Sequence, residues 1–186
     1  DIIIYSDEIS FITSDHNNPI DLSINGTANC YMVHRPGTYK FRCDVKGNNE
    51  HSDISDISGV TVIWETVNTL EGVSSSTIIK NVRLNDNYIE FDTPQSLKPG
   101  NVLLGVRNSL GVIMWSWHIW VTEYNPDVYY NKYFYGAILM DRNLGALDNI
   151  NGSVKQRGLL YQWGRKDPFT GAGDIDNKSL AITSPE

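Results

Sequence analysis

From Gly111 to Tyr124 the chain reads GVIMWSWHIWVTEY, and its side chains alternate as a half-buried strand requires. Ile113, Trp115, Trp117, Ile119 and Val121 fall on one face, and Met114, Ser116, His118, Trp120 and Thr122 on the other. A period of two is not that of a helix, and the run is too short to cross a bilayer. It predicts a central strand.

The same pattern recurs along most of the chain. Ile2 to Tyr5, Glu8 to Thr13, Ile20 to Ile24, Ala28 to Val33, Thr38 to Lys46 and Val60 to Val67 read as strands broken by Asn-, Gly- and Pro-containing turns. Trp64 should share a face with Val60 and Val62. Thr77 to Leu84 and Tyr88 to Thr93 form a hairpin through Asn85-Asp86-Asn87, with Leu84 opposite Ile89 and Val82 opposite Phe91. Asn101 to Arg107 pairs with the central strand, setting Val106, Leu104 and Val102 against Ile113, Trp115 and Trp117. Short strands at this spacing predict an all-β fold, an antiparallel β-sandwich of Ig-like type, over residues 1–124. Residues 125–136, with Tyr129, Tyr130, Tyr133, Phe134 and Tyr135, read as an aromatic linker. Residues 137–186 begin a second domain or form an extension packed on the sandwich, with a short strand at Ala137 to Met140. Gly158 to Phe169 fits either a short helix or a strand and turn.

Charge changes the picture of partners. The net charge of −7 over 186 residues argues against nucleic acid, which needs a clustered excess of Lys and Arg. The chain opens on Ile2-Ile3-Ile4-Tyr5 with no leader segment and reads as a piece of a longer protein. The apolar Ile2 to Tyr5 strand is a candidate for addition to a neighbouring subunit's sheet edge.

The two cysteines, Cys30 and Cys43, are symmetric about Pro36-Gly37. A hairpin there sets them face to face, compatible with a cross-strand disulfide or with two buried thiols. His16, His34, His51 and His118 sit on different elements without metal-ligand spacing. Asp174-Ile175-Asp176-Asn177 alternates oxygen ligands but lacks the later Gly and Glu of a calcium loop. No nucleophile motif, phosphate cradle or cofactor motif is present, so no catalytic, metal or cofactor residue is assigned. Asp141 and Arg142 read as an ion pair pinning the linker. The remaining candidate is Trp120 with His118 and Arg107, a platform on which a sugar ring stacks while His and Arg bond its hydroxyls. The competing reading covers that face with the aromatic linker or the second domain.

Asn29-Cys30-Tyr31-Met32-Val33, Pro36-Gly37-Thr38-Tyr39-Lys40-Phe41, Val45-Lys46-Gly47-Asn48, Gly100-Asn101-Val102 and Trp115-Ser116-Trp117-His118-Ile119-Trp120 resemble conserved stretches of fimbrillin-associated surface lipoproteins of anaerobic gut bacteria. Met140-Asp141-Arg142-Asn143-Leu144-Gly145-Ala146 and Gly158 to Phe169 are similar to the opening of the FISUMP-type (major paralogous) domain that often follows. The resemblance implies export, a cell-surface or outer-membrane-associated setting, and an adhesive or structural role without catalysis. It implies a second domain that continues past the residues present, and it implies that the second cysteine is not a regular feature. The expected function is thus a non-enzymatic cell-surface or fimbrial protein acting in adhesion or appendage assembly. Its partners are other surface or fimbrial subunits, or host or dietary glycans if the chain is a carbohydrate-binding module. An accessory fragment of a glycan hydrolase is the third reading.

Overall fold

The computed structural model describes residues 18–47, 52–66, 78–126, 128–132 and 135–169. The strands expected at Ile2 to Tyr5 and Glu8 to Thr13, and the loop at Asp174 to Asn177, lie outside them. The fold is all-β, and one short 3-10 helix, Val154–Arg157, is the one helical element among the described residues.

Among the described residues ten strands follow in chain order: β1 Ile20–Asp21, β2 Cys30–Val33, β3 Thr38–Arg42, β4 Gly59–Thr66, β5 Lys80–Asn85, β6 Tyr88–Asp92, β7 Gly100–Arg107, β8 Ile113–Val121, β9 Tyr130–Lys132 and β10 Ile138–Met140. They form two four-stranded sheets, β1-β3-β6-β5 and β2-β8-β7-β4, and a separate β9-β10 pair. Both large sheets contribute to one apolar core. Tyr39, Phe41, Ile89 and Phe91 come from the first, and Val102, Leu104, Trp117 and Ile119 from the second. Phe41 links the two layers, with its ring centroid 4.8 Å from that of Tyr31 and 5.4 Å from that of Trp117. Tilted aromatic contacts at this separation add to the area they bury.

Several pairings differ from expectation. β2 and β3 do not form a hairpin: β2 runs parallel to β8 in one sheet and β3 pairs with β1 and β6 in the other. The Pro36-Gly37 turn is a corner between sheets, held where the Gly37 N–H donates to Thr93 Oγ1 at 2.9 Å and the Thr93 N–H donates to the Gly37 carbonyl at 2.9 Å. Cys30 and Cys43 are therefore not cross-strand partners, and both thiols are free. Cys43 sits in the shared core, whereas on β2 it is Tyr31 and Val33 that face inward. With β1·β3 and β2·β8 parallel, neither sheet is purely antiparallel.

Three register irregularities and one shift refine the rest. In β4, Val62 pairs with Leu104 and Trp64 with Leu103, so Ile63 and Trp64 share one partner and both turn to the outer face. Trp64 thus leaves the face of Val60 and joins Leu103 and Leu159 in a second apolar cluster. In β5 the pairing jumps between Arg83↔Glu90 and Lys80↔Asp92, with Asn81 at φ 52°. Leu84 opposes Ile89 as expected, and Val82 loses its one-to-one partner Phe91 but still packs on the core. β7 pairs with β8 two residues out of the expected register, Val102↔Ile119, Leu104↔Trp117 and Val106↔Trp115. A shift of two keeps Trp115, Trp117, Ile119 and Val121 on the inward face, but an irregularity between Val106 and Arg107 sets Ile113 opposite Arg107 and turns it to the outer face, beside Gly105 and Ile63.

Of the aromatic stretch after β8, the described Tyr129, Tyr130 and Tyr135 are exposed, as is every residue of β10. Arg142 pairs with Asp141 at 2.7 Å and lies 4.2 Å over the Tyr124 ring, pinning this stretch to the end of β8 as expected. What lies on the outer face of β7 and β8 is the segment from Asn143 to Asp167, whose Ala146 and Leu159 are buried. Gly158 to Phe169 takes the strand-and-turn alternative, closed by a bridge between Leu160 and Phe169.

Candidate functional site

The polar face of β8 is consumed by packing. Trp120 is 0% exposed and stacks near Tyr124, and its Nε1 has no hydrogen-bond partner among the described residues. His118 is buried beside it, while Arg107 lies at the other end of β7 and is exposed. Along β7, Leu103 opposes His118 and Asn101 opposes Trp120, whereas Arg107 opposes Ile113. The Trp120, His118 and Arg107 platform is therefore not formed, because the C-terminal segment occupies the face on which it depended.

In its place is a directed hydrogen-bond chain. Cys30 Sγ lies 3.2 Å from His118 Nδ1, and His118 Nε2 lies 2.9 Å from Asn101 Oδ1. Asn101 Nδ2 donates to the Gly145 carbonyl at 3.0 Å. Since Asn101 Oδ1 only accepts, Nε2 carries the imidazole proton and Nδ1 accepts from the thiol. The order Cys-His-Asn is that of a cysteine nucleophile, its base and the group that orients the base. The electrostatics point the other way. Burial pushes the Cys30 thiol up to about 12 and the His118 imidazole down to about 3, with Asp167 opposing the latter only in part. A thiolate and imidazolium pair is thus disfavoured on both sides, and the neutral array ties β2, β8 and β7 to the cover. Burial raises Cys43 to about 12 as well, with Asp44 acting in the same direction. Native protein at pH 8 is expected to leave both thiols unmodified by Ellman's reagent over minutes, with two released in denaturant. Rapid labelling of one thiol in the folded protein would contradict this account.

A second anchor fixes the end of the cover. Ser116 Oγ donates to the Asp167 carboxylate at 2.7 Å, and Lys166 Nζ donates to the Ser116 carbonyl at 2.8 Å and to its Oγ at 2.6 Å. Lys166 and Asp167 are themselves in contact as an ion pair. Just before them, the Arg165 N–H donates to the Gln162 carbonyl at 3.0 Å, closing a turn with Gly164 at φ +80°. That positive φ is what the third residue of a type II turn demands, and it leaves the second, Trp163, at the tip. Trp163 is 100% exposed. Between this turn and β8 lies a cleft of about 450 Å³, lined by Trp115, Gln162, Trp163, Arg165, Lys166 and Asp167.

No protein-family model, curated protein or solved structure matches the chain. No helix among the described residues is long and apolar enough to cross a membrane. The residues that line this cleft are not among the candidates that the sequence singled out. Their signal was the run Gln162-Trp163-Gly164-Arg165, in which a tryptophan precedes a turn glycine and is thereby placed at a tip.

Proposed function

We propose that this chain is a non-enzymatic module of an exported, cell-surface protein, and that it acts in adhesion by holding a saccharide at the cleft beneath Trp163. One observation carries the reading: the fully exposed Trp163 indole, held out by a turn that two side-chain anchors tie to β8. An indole held on a fixed support loses little further freedom when a ligand stacks on it. Indole faces suit sugar rings, whose axial hydrogens are apolar while their hydroxyls take hydrogen bonds from groups such as Gln162 and Arg165. The likeness to surface lipoproteins supports the setting, and the neutral, covered Cys30, His118 and Asn101 array supports the absence of catalysis.

A glycan array probed with wild type and with Trp163→Ala tests this. Binding of the wild type to at least one saccharide is expected, with about a tenfold loss or more in the variant, the loss of one stacking contact. A wild type that binds nothing on the array, or a variant that binds as well, would sink the proposal.

A further inference from the structure

Two ammonium groups lie over the ring of Trp115, a residue that lines the cleft, and one of them, Lys166, lines it too. Lys46 Nζ lies 5.0 Å and Lys166 Nζ 4.6 Å from the Trp115 ring centroid. They arrive from distant parts of the chain, Lys46 from the loop after β3 and Lys166 from the C-terminal cover. Arg165 lines the same cleft, its guanidinium 4.1 Å over the Phe169 ring. The one carboxylate lining it among the described residues, Asp167, is buried and engaged by Ser116 and Lys166. Among the described residues the cleft is thus lined by Arg165 and by the Lys166 and Asp167 pair, with Lys46 over the adjoining Trp115 ring, on a chain whose net charge is −7.

Gathering like charges around one ring sets up a positive potential in a partly desolvated hollow, where salt screens it less than on open surface. The electrostatic cost falls when an anion enters. Burial already depresses the Lys166 pKa against the pull of Asp167, so an added negative group would favour its charged form.

We propose that the cleft selects acidic saccharides, chains bearing carboxylate or sulfate groups, with a sugar face on Trp163 and the acid group beside Lys46 and Lys166. This rests on the reading of the cleft as a saccharide site. It adds the charge that the ligand must carry.

The test uses two matched pairs of polymers: polygalacturonate against its methyl ester, and dextran sulfate against dextran. Affinity of the full chain for each is measured by titration calorimetry at low and at physiological salt. The charged member of at least one pair is expected to bind about tenfold tighter than its neutral partner, and to weaken as salt rises. Lys46→Gln should remove most of that preference, and Trp163→Ala should weaken binding to the charged polymer. Charged and neutral members bound equally would overturn the charge selection while leaving the saccharide reading intact. Unchanged binding in either variant would reduce the effect to unspecific attraction and overturn the proposal too. No binding to any of the four overturns the acidic-saccharide assignment, and the glycan array then decides whether the broader reading survives.

Discussion

Replacing Gly47 with alanine is expected to destabilise the fold by about 3 kcal/mol, the upper range for forcing an atom into filled space. A Cβ at Gly47 would sit 2.2 Å from the Ala28 carbonyl carbon, 2.5 Å from its oxygen and 2.6 Å from the Asn29 nitrogen. These are backbone atoms, so no side-chain rotation relieves the clash. The displaced residues matter because the Asn29 carbonyl accepts the His118 N–H at 2.9 Å, and Asn29 Oδ1 accepts the Trp115 indole N–H at 3.1 Å. Moving them loosens β2 from β8. Gly59→Ala is the matched control: its Cβ would meet only the Arg107 guanidinium at 3.7 Å, and the change should fall within about 0.5 kcal/mol of wild type. Urea midpoints of the two variants measure the contrast. Equal midpoints would mean that the Gly47 approach is not as tight as described.

The second large effect is on acid stability. His118 has a pKa of about 3 in the folded protein against an ordinary 6.5, because burial penalises the imidazolium. As pH falls below 6.5 the unfolded chain takes up this proton first, so stability present above 6.5 is lost progressively down to about pH 3. The slope is roughly 1.4 kcal/mol per pH unit, a total of a few kcal/mol. His118→Gln keeps a donor and an acceptor in the site but does not titrate. Its starting stability at pH 7.5 should be lower, and its decline between pH 6.5 and 4 shallower than that of wild type. Parallel declines in urea midpoint across that range would show that His118 is not the group responsible.

Much of the inward-facing set was readable because it depends only on parity. Trp117, Ile119 and Val121 face the core, and so do Val102, Leu104 and Val106, even though the β7 and β8 register was misread by two residues. Partner choice was not readable. On β2 both alternating sets, Cys30 with Met32 and Tyr31 with Val33, are apolar, so nothing in the pattern separates a hairpin with β3 from a parallel strand beside β8. The symmetric cysteines and the Pro-Gly turn favoured the wrong partner, since a turn signal fixes where the chain bends and not whether it stays in one sheet. Bulges are equally silent, as Ile63 shows by turning Trp64 outward in a run where Val62, Ile63 and Trp64 are all apolar and none is marked as the extra residue.

The candidate site was legible only in part, and for a related reason. The mixed face of β8 was evident, but what covered it came from residues 143–167, a stretch too polar and irregular to announce where it docks. Of the two expected covers, the aromatic linker and the second domain or extension, it is the latter that lies on the face, while the described Tyr129, Tyr130 and Tyr135 are exposed. The sequence offered His118 as a group that bonds sugar hydroxyls, whereas it is buried and bonds within the fold. Its partners Asn101 and Cys30 came from β7 and β2, and the β2 partner could not be named without the sheet order.

The parallel pairing of β2 with β8 runs from Cys30↔His118 to Val33↔Val121. In such a pair the chain entering β2 and the chain leaving β8 depart from opposite ends of the ladder. Tension drawn between those two exits acts along the strands, so the rungs share the load together and none can be peeled away one at a time. A fold joined in this manner is suited to holding on while it is being pulled.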